Sequence, residues 1–305
     1  MEDCLVGIEI GGTKLQIVVG DSNGNIVEPS RHSVNATEGA DGIRRQIEIT
    51  LRQVCQRLKP AGIGVGYGGP VDWQTGVVFC SHHVEGWNNF PLAQWIANLT
   101  QAKVRVDNDA NVAALGEARR GAGRGRNPVF YITLGSGVGG GLVADGKIYH
   151  GAKPGEVEIG HVRLDRSGVI LESRCSGWSV DEKVRRAVAE NPASLLARAE
   201  GAPVGGEAKR LSPALAAGDP EARRILEETA GDLGFGLSHV AQLFHPEVII
   251  LGGGLSLIGE PLRAAVEKAL RPFVMKAFSP GPEILLAGLG EDVVPVGALE
   301  LAKGS

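Results

Sequence analysis

Two segments of the chain share one pattern: an apolar strand, a bend of glycine with Ser or Thr, a second apolar strand and a tight turn. The first runs Gly7-Ile8-Glu9-Ile10-Gly11-Gly12-Thr13-Lys14-Leu15 and continues to Asn23-Gly24. The second starts at Phe130, passes Thr133-Leu134-Gly135-Ser136-Gly137-Val138, and closes on Asp145-Gly146. Asn-Gly and Asp-Gly are strong hairpin signals because both central residues of such a turn take positive φ. The chain therefore carries a duplicated β-hairpin. Glycines at each bend let backbone N–H groups approach an anion. Two such loops suggest a nucleotide clamp.

Around these hairpins the pattern alternates. Residues 40–58 read as a helix with Ile43, Ile47, Leu51, Val54 and Leu58 on one face. Ile63–Tyr67 is a buried-strand candidate, Leu92–Leu99 a short helix, and Val104–Val106 a strand running into Asp107-Asn108-Asp109. Ala110–Arg119 reads as helix. Helical segments near 180–200, 211–218 and 220–244 follow, then the strand Val248–Leu251, a helix over 257–273 and a closing helix over 295–303. This alternation predicts an α/β protein. With 305 residues, two domains are expected. We place them at 1–120, joined by the C-terminal helix 293–305, and at 121–292, with Gly, Arg and Pro128 interrupting the pattern between them.

Composition excludes several partner classes. The net charge of −4 gives no footprint for nucleic acid or an anionic membrane. Arg119-Arg120 and Arg124–Arg126 read as solvated surface or the edge of a phosphate site. No apolar run is long enough to span a bilayer. Glu2 and Asp3 do not begin a signal peptide. Cys4, Cys55, Cys80 and Cys175 are scattered without a CxxC pair, as expected of reduced thiols in a cytoplasmic protein.

Several motifs bear on chemistry. Gly135 to Gly140 fits GxGxxG, but a dinucleotide site needs a helix after it, and Gly141–Ile148 reads as strand, turn, strand. Gly11-Gly12-Thr13-Lys14 lacks the spacer of a P-loop. Gly252-Gly253-Gly254 follows a buried strand and adds a third glycine cluster. Asp107-Asn108-Asp109-Ala110-Asn111 stands where a strand hands over to a helix. One of these residues is expected to cap the helix. Asp109, at the carboxyl end of a strand, could also act as a base toward a bound hydroxyl. Glu156, Glu158 and His161 lie close in sequence, and Glu158 with His161 could face a polar ligand. His82-His83 reads as structural or solvent-facing.

Taken together and in order, Glu9–Lys14, Gly69-Pro70-Val71-Asp72, Gly86–Leu92, Asp107–Asn111, Thr133–Gly141, Glu158–His161 and Ile250–Gly254 resemble the ROK family of bacterial sugar kinases and sugar-responsive repressors. The resemblance implies the two-domain actin-like ATPase fold (ribonuclease H-like), with ATP held by the duplicated hairpins. It implies ATP-dependent phosphorylation of a hexose, glucose or a relative, at the C6 hydroxyl. It implies Asp109 as catalytic base and Gly69, Asn108, Glu158 and His161 as sugar contacts. Gly11, Gly12, Thr13, Lys14, Thr133, Gly135 and Gly137 match the phosphate loops, and Gly253 and Gly254 the loop beside adenosine. Glu9 fills a position near Mg²⁺, acting through water. The first loop starts at Gly11, which points to the kinase branch, and a homodimer is the expected assembly.

The chain departs from that family's pattern at one place. A CxCGxxGC zinc motif is expected soon after His161, but the segment reads Leu171-Glu172-Ser173-Arg174-Cys175-Ser176-Gly177-Trp178. Cys175 and His161 are too few for tetrahedral zinc, so no metal ligands are assigned and structural zinc is expected to be absent. Packing of Trp178 on an apolar wall would then hold the loop. No residue aligns cleanly with the sugar-contacting Glu that closes that motif; Asp181 and Glu182 are neighbours. An N-acetylated amino sugar, a ketose, or a non-catalytic sugar- or nucleotide-binding regulator therefore remain alternatives.

Overall fold

The computed structural model describes residues 3–12, 14–35, 38–81, 84–153, 155, 157–198 and 205–304. Thr13, His82, His83 and Glu156 lie outside the described residues. The chain opens with β1 (Asp3–Ile10), β2 (Lys14–Gly20) and β3 (Ile26–Ser33), then α1 (Gly39–Arg57) and β4 (Lys59–Tyr67). The short strands β5 (Val71–Asp72) and β6 (Val77–Val78) precede α2 (Leu92–Thr100), β7 (Val104–Asn108) and α3 (Asp109–Arg120). A second series follows: β8 (Val129–Leu134), β9 (Val138–Ala144) and β10 (Lys147–Ile148). Then come α4 (Glu172–Cys175), α5 (Gly177–Glu190), α6 (Leu195–Arg198), α7 (Leu211–Ala216), α8 (Pro220–Phe244), β11 (Val248–Gly252), α9 (Glu260–Leu270), β12 (Glu283–Leu286) and α10 (Val293–Lys303).

Two five-stranded sheets result, ordered β3-β2-β1-β4-β7 and β10-β9-β8-β11-β12. In each, the second strand of the hairpin is antiparallel to its neighbour beyond, while β4 and β7, like β11 and β12, run parallel. The turns that close the hairpins form as their residues require. Gly24 has φ 79°, and Asp145 and Gly146 have φ 52° and 72°. No helix follows Gly140, which disposes of the dinucleotide reading of GxGxxG. The strand β12 escaped the sequence reading.

Contacts divide the chain into two compact units, one of Met1–Gly125, Gly141–Val157 and Gly288–Ser305, the other of Arg126–Gly140 and Glu158–Ala287. In the first, α1 buries Ile43, Ile47, Leu51 and Val54 against one face of its sheet. Burying each such side chain contributes about 1.5–3 kcal/mol. The other face receives α10, and it does so through glycine. A Cβ at Gly64 would lie 1.9 Å from Ala298 O, and one at Gly297 would lie 1.9 Å from Val112 O. A side chain at either place would push α10 off β4 or α3. In the second unit β11 is buried along its whole length. Among the described residues no helix is long and apolar enough to cross a membrane.

Candidate active site

The first unit gathers its candidate residues through strand register. Ile10 pairs with Tyr67, and Tyr67 pairs with Asn108. The carboxyl ends of β1, β4 and β7 therefore lie side by side, carrying Gly11, Gly68-Gly69 and Asn108-Asp109. Ligands in α/β sheets bind at such strand ends. The loops are also stitched together: Gly68 N donates to Ile10 O at 2.8 Å, and Asn108 Nδ2 to Gly69 O at 3.3 Å. A methyl at Gly68 would stand 3.3 Å from Asp109 Oδ2, so glycine there keeps room beside the carboxylate.

Asn108 is the cap. Its Oδ1 accepts from Ala110 N at 2.9 Å and Asn111 N at 3.3 Å, which satisfies two orphan donors of α3. Asp109 takes the first position of α3, half-buried, where unpaired N–H groups favour negative charge. Asp107 faces elsewhere and is only 3% exposed. Its Oδ1 accepts from Asn111 Nδ2 at 3.0 Å, and its Oδ2 meets His150 Nε2 at 2.7 Å. The loop carrying His150 is tied down twice more, by Asn111 Nδ2 on Gly155 O at 3.3 Å and Lys153 Nζ on Asp72 Oδ2 at 2.8 Å. His150 was not singled out from the sequence. It lies 43 residues from its partner, a spacing with no local signature.

The first glycine loop carries charge. Glu9 Oε2 accepts from Gln16 Nε2 at 2.7 Å and pairs with Lys14 Nζ at 3.1 Å. Burial pushes the Glu9 carboxyl above its usual range, with Lys14 and Gln16 pulling the other way. Lys14, expected to meet phosphate, is thus held by Glu9. Gly11 N donates to Lys14 O at 2.9 Å, which closes the bend and leaves Gly12 beside it half-buried. Behind these loops Tyr67 is buried, and desolvation pushes its phenol up to about 12.

The second unit holds Thr133, Gly135, Gly137, Glu158, His161, Gly253 and Gly254. Thr133 pairs with Gly252, so the second glycine loop and the Gly253-Gly254 turn also emerge from neighbouring parallel strand ends. Gly253 has φ 80°, and a Cβ there would lie 2.5 Å from Leu134 N. Gly135 N donates to Gly137 O at 3.0 Å, and Gly135 O accepts from Gly177 N at 2.7 Å. Glu158 precedes a turn of 3₁₀ helix and His161 ends it, both exposed, with Oε2 and Nε2 4.0 Å apart. That turn presses on the hairpin: a Cβ at Gly160 would lie 2.3 Å from Val138 O. Glu172 reaches the same place, its Oε2 accepting from Val138 N at 2.8 Å. Of the two acidic residues that follow Cys175, Asp181 accepts from Ala208 N at 2.6 Å and Glu182 is exposed.

The segment that departs from the zinc pattern is held by its core. Leu171 and Cys175 are fully buried, and burial pushes the Cys175 thiol up to about 12. Cys175 Sγ faces Thr229 O of α8 at 3.7 Å. Trp178, expected to anchor the segment, is 59% exposed. The spacing puts it on the outer face of α5, whose buried residues are Val180, Asp181, Val184 and Ala187. Among the described residues no three of His, Cys, Asp and Glu converge as metal ligands.

The model of the ROK family matches residues 5–305. The chain belongs to the ROK family. It is 30% identical over 307 residues to a glucokinase of Thermotoga maritima, covering 98% of this chain and 97% of that one. A glucokinase of Halalkalibacterium halodurans is 32% identical over 312 residues, with 98% and 94% covered. Among solved structures, a ROK family glucokinase from Streptomyces griseus in complex with glucose and AMPPNP superposes with a TM-score of 0.85 at 32% identity, covering 99% of this chain and all of that one. The mixed α/β fold with two sheets is that of the ROK glucokinases, consistent with the actin-like ATPase plan.

Proposed function

We propose that this ROK protein is an ATP-dependent hexose kinase that transfers the γ-phosphoryl group of ATP to a sugar hydroxyl, that on C6, with Asp109 as general base. The observation that carries this is the register placing Gly11, Gly68-Gly69 and Asp109 on three adjacent strand ends. Similarity over the full chain to glucokinases, one of them crystallised with glucose and an ATP analogue, supports it.

In this reading Asp109 accepts the proton of the attacking hydroxyl, and Asn108 fixes the turn that aims it. Asn108, Gly69, Glu158 and His161 are the sugar contacts. Glu172 beside the second loop stands in for the acidic residue that the altered zinc segment lacks. The two glycine loops, with Gly11, Gly12, Thr13, Lys14, Thr133, Gly135 and Gly137, take the phosphates, and Gly253-Gly254 lies against the nucleoside. Phosphoryl transfer asks a protein chiefly for positioning and charge neutralisation. Mg²⁺, brought with the nucleotide, would neutralise charge on the phosphates. Glu9, a hard oxygen donor at the end of β1, fits such an ion through its water shell.

The test is ADP release with Mg-ATP against glucose, mannose, fructose, N-acetylglucosamine, N-acetylmannosamine and allose. Turnover on glucose or a near relative, with the product phosphorylated at C6, supports the reading. Saturable sugar binding without ADP release on any member would assign the chain to the non-catalytic class. A metal analysis giving about one zinc per chain would overturn the expected absence of structural zinc.

A further inference from the structure

The first unit contains a cavity of about 580 Å³ that no step above uses. It is bordered by β7 from Val104 to Asp107 with Lys103 before it, by the Trp73–Gly76 turn, by Arg119 of α3 and Glu300 of α10, and by Lys147 and His150. Because β7 is the outermost strand of its sheet, the cavity lies at a sheet edge. Its size falls in the range of small-molecule sites.

Charge in the lining is one-sided. Lys103, Arg105, Arg119 and Lys147 face only Asp107 and Glu300. Both carboxylates are already engaged. Asp107 holds His150 and Asn111, and Glu300 is shared by Lys303 at 2.7 Å and by Arg119 and Arg120 at 3.6 Å each. The arginine forks spend hydrogen bonds on neutral carbonyls: Arg105 Nη1 on Ala302 O at 3.1 Å, Arg119 Nη2 on Gly146 O at 2.8 Å. Lys103 and Lys147 are exposed and pair with no carboxylate among the described residues. In a chain of net charge −4, this is a local excess of positive charge in a concavity, where the field is focused. Guanidinium forks match phosphate oxygens in pairs.

The cavity also has a flat, preformed wall. Trp73 and His150 stack with ring centroids 4.2 Å apart and planes 12° from parallel, and Trp73 is 36% exposed. The turn behind Trp73 is fixed without any ligand. Asp72 Oδ1 accepts from Gln74 N at 3.0 Å, and Gly76 N donates to Asp72 O at 2.7 Å. Gly76 has φ 68°, and a Cβ there would lie 2.2 Å from Ala93 Cβ. A wall ordered in advance lowers the entropic cost of binding.

The geometry points to a second binding site here, for a phosphate-bearing small molecule, with the phosphate held among Arg105, Arg119 and the two lysines and its organic part along Trp73. The site backs onto Asp107, two residues before Asp109 in sequence, so its occupancy can be felt at the strand that leads into the proposed base. The binding claim itself does not depend on the kinase reading.

Glucose 6-phosphate and inorganic phosphate serve as probes on the full chain, by calorimetry and tryptophan fluorescence. The reference variant is Lys103→Glu with Lys147→Glu, both exposed and outside the proposed catalytic residues. The wild type should bind at least one probe saturably, and the double variant at least tenfold more weakly with unchanged kcat and KM. Trp73→Phe should remove most of the fluorescence change while calorimetric binding persists. Phosphate binding as tightly as the sugar phosphate would assign the site to free phosphate. No saturable binding of either probe below a Kd on the order of 1 mM would overturn the proposal. So would equal affinity in wild type and double variant, which would place the probe elsewhere.

Discussion

In the first hairpin Glu9 is the penultimate residue of β1, flanked by Lys14 and Gln16; at the matching places of the second hairpin stand Thr133, Val138 and Gly140. The strand plan is the same in both sheets, so the contrast is one of side chains on a repeated backbone. The first copy carries a charged cluster of its own. The second copy has none within its hairpin and takes a carboxylate from outside, Glu172 on Val138 N. The next strand repeats the contrast. After β4, Gly68-Gly69 stands beside Asp109; after β11, Gly253 packs on the backbone of Leu134. Then β7 delivers Asn108-Asp109 into α3, whereas β12 ends at Leu286 without any such turn. Duplicated topology therefore provides two sets of strand ends, and only the first places carboxylates of its own, Glu9 and Asp109, beside its glycine loops.

Asp109→Asn tests that division most severely. Loss of a general base removes about 10²–10⁴-fold of rate, and turnover on the accepted sugar should fall by that order. Thermal stability should stay near that of the wild type, because Asn108 and not Asp109 caps α3. A near-normal kcat would take the chemistry away from the first copy.

Glu117→Ala should give the next largest effect, and on stability. Glu117 is fully buried in α3 and accepts from Ala122 N at 2.7 Å, Gly288 N at 3.1 Å and Leu289 N at 2.9 Å. Alanine leaves three backbone donors to find water, a loss of about 3 kcal/mol given the cost of unmade bonds to a charged acceptor. Denaturant titration reads it directly; a midpoint unchanged from the wild type would mean that water replaces the carboxylate without cost.

Gly253→Ala and Gly69→Ala separate the proposed nucleotide contact from the proposed sugar contact. Alanine at 253 must adopt φ near 80° and moves the backbone of Leu134, so the ATP KM should rise about tenfold, the equivalent of ~1.4 kcal/mol, with the sugar KM little changed. Alanine at 69 would meet Tyr67 Cε1 at 3.0 Å and Cys80 O at 3.1 Å, and should act on the sugar KM instead. Equal effects of both variants on both constants would erase the assignment of Gly253 to the nucleotide and of Gly69 to the sugar.

What could be read from the chain beforehand follows the range of the interactions involved. Hairpins and caps are local: Asp145-Gly146 and Asn108 announce themselves by the backbone geometry that they serve. The apolar runs of β1, β4 and β8 mark buried strands, and their glycine ends mark the loops. Features made by packing across the sequence were missed. Glu172 meets Val138 34 residues away, and the cysteine motif that would mark an acidic residue in this segment is replaced in this chain. His150 reaches Asp107 from a loop with no periodicity. The strand β12 is four residues long and is recognisable only once β11 is beside it. Trp178 is expected to pack on an apolar wall, whereas helical phase puts it outside.

The smallest effect expected is the most specific to the first hairpin. Burial raises the Glu9 carboxyl above its usual value of 4.5, so the folded protein holds that proton to higher pH than the unfolded chain does. A raised carboxyl contributes its full stability below its unfolded value, and the contribution is lost as pH rises through the folded one. Glu9→Gln removes the titration. The melting temperature of Glu9→Gln relative to wild type should therefore increase from acid toward neutral pH. Thr133→Val at the matching place of the second hairpin should show a difference that does not vary with pH. A flat Glu9→Gln difference would mean that Lys14 and Gln16 fully offset the burial, making the two hairpins electrostatically alike despite their sequences.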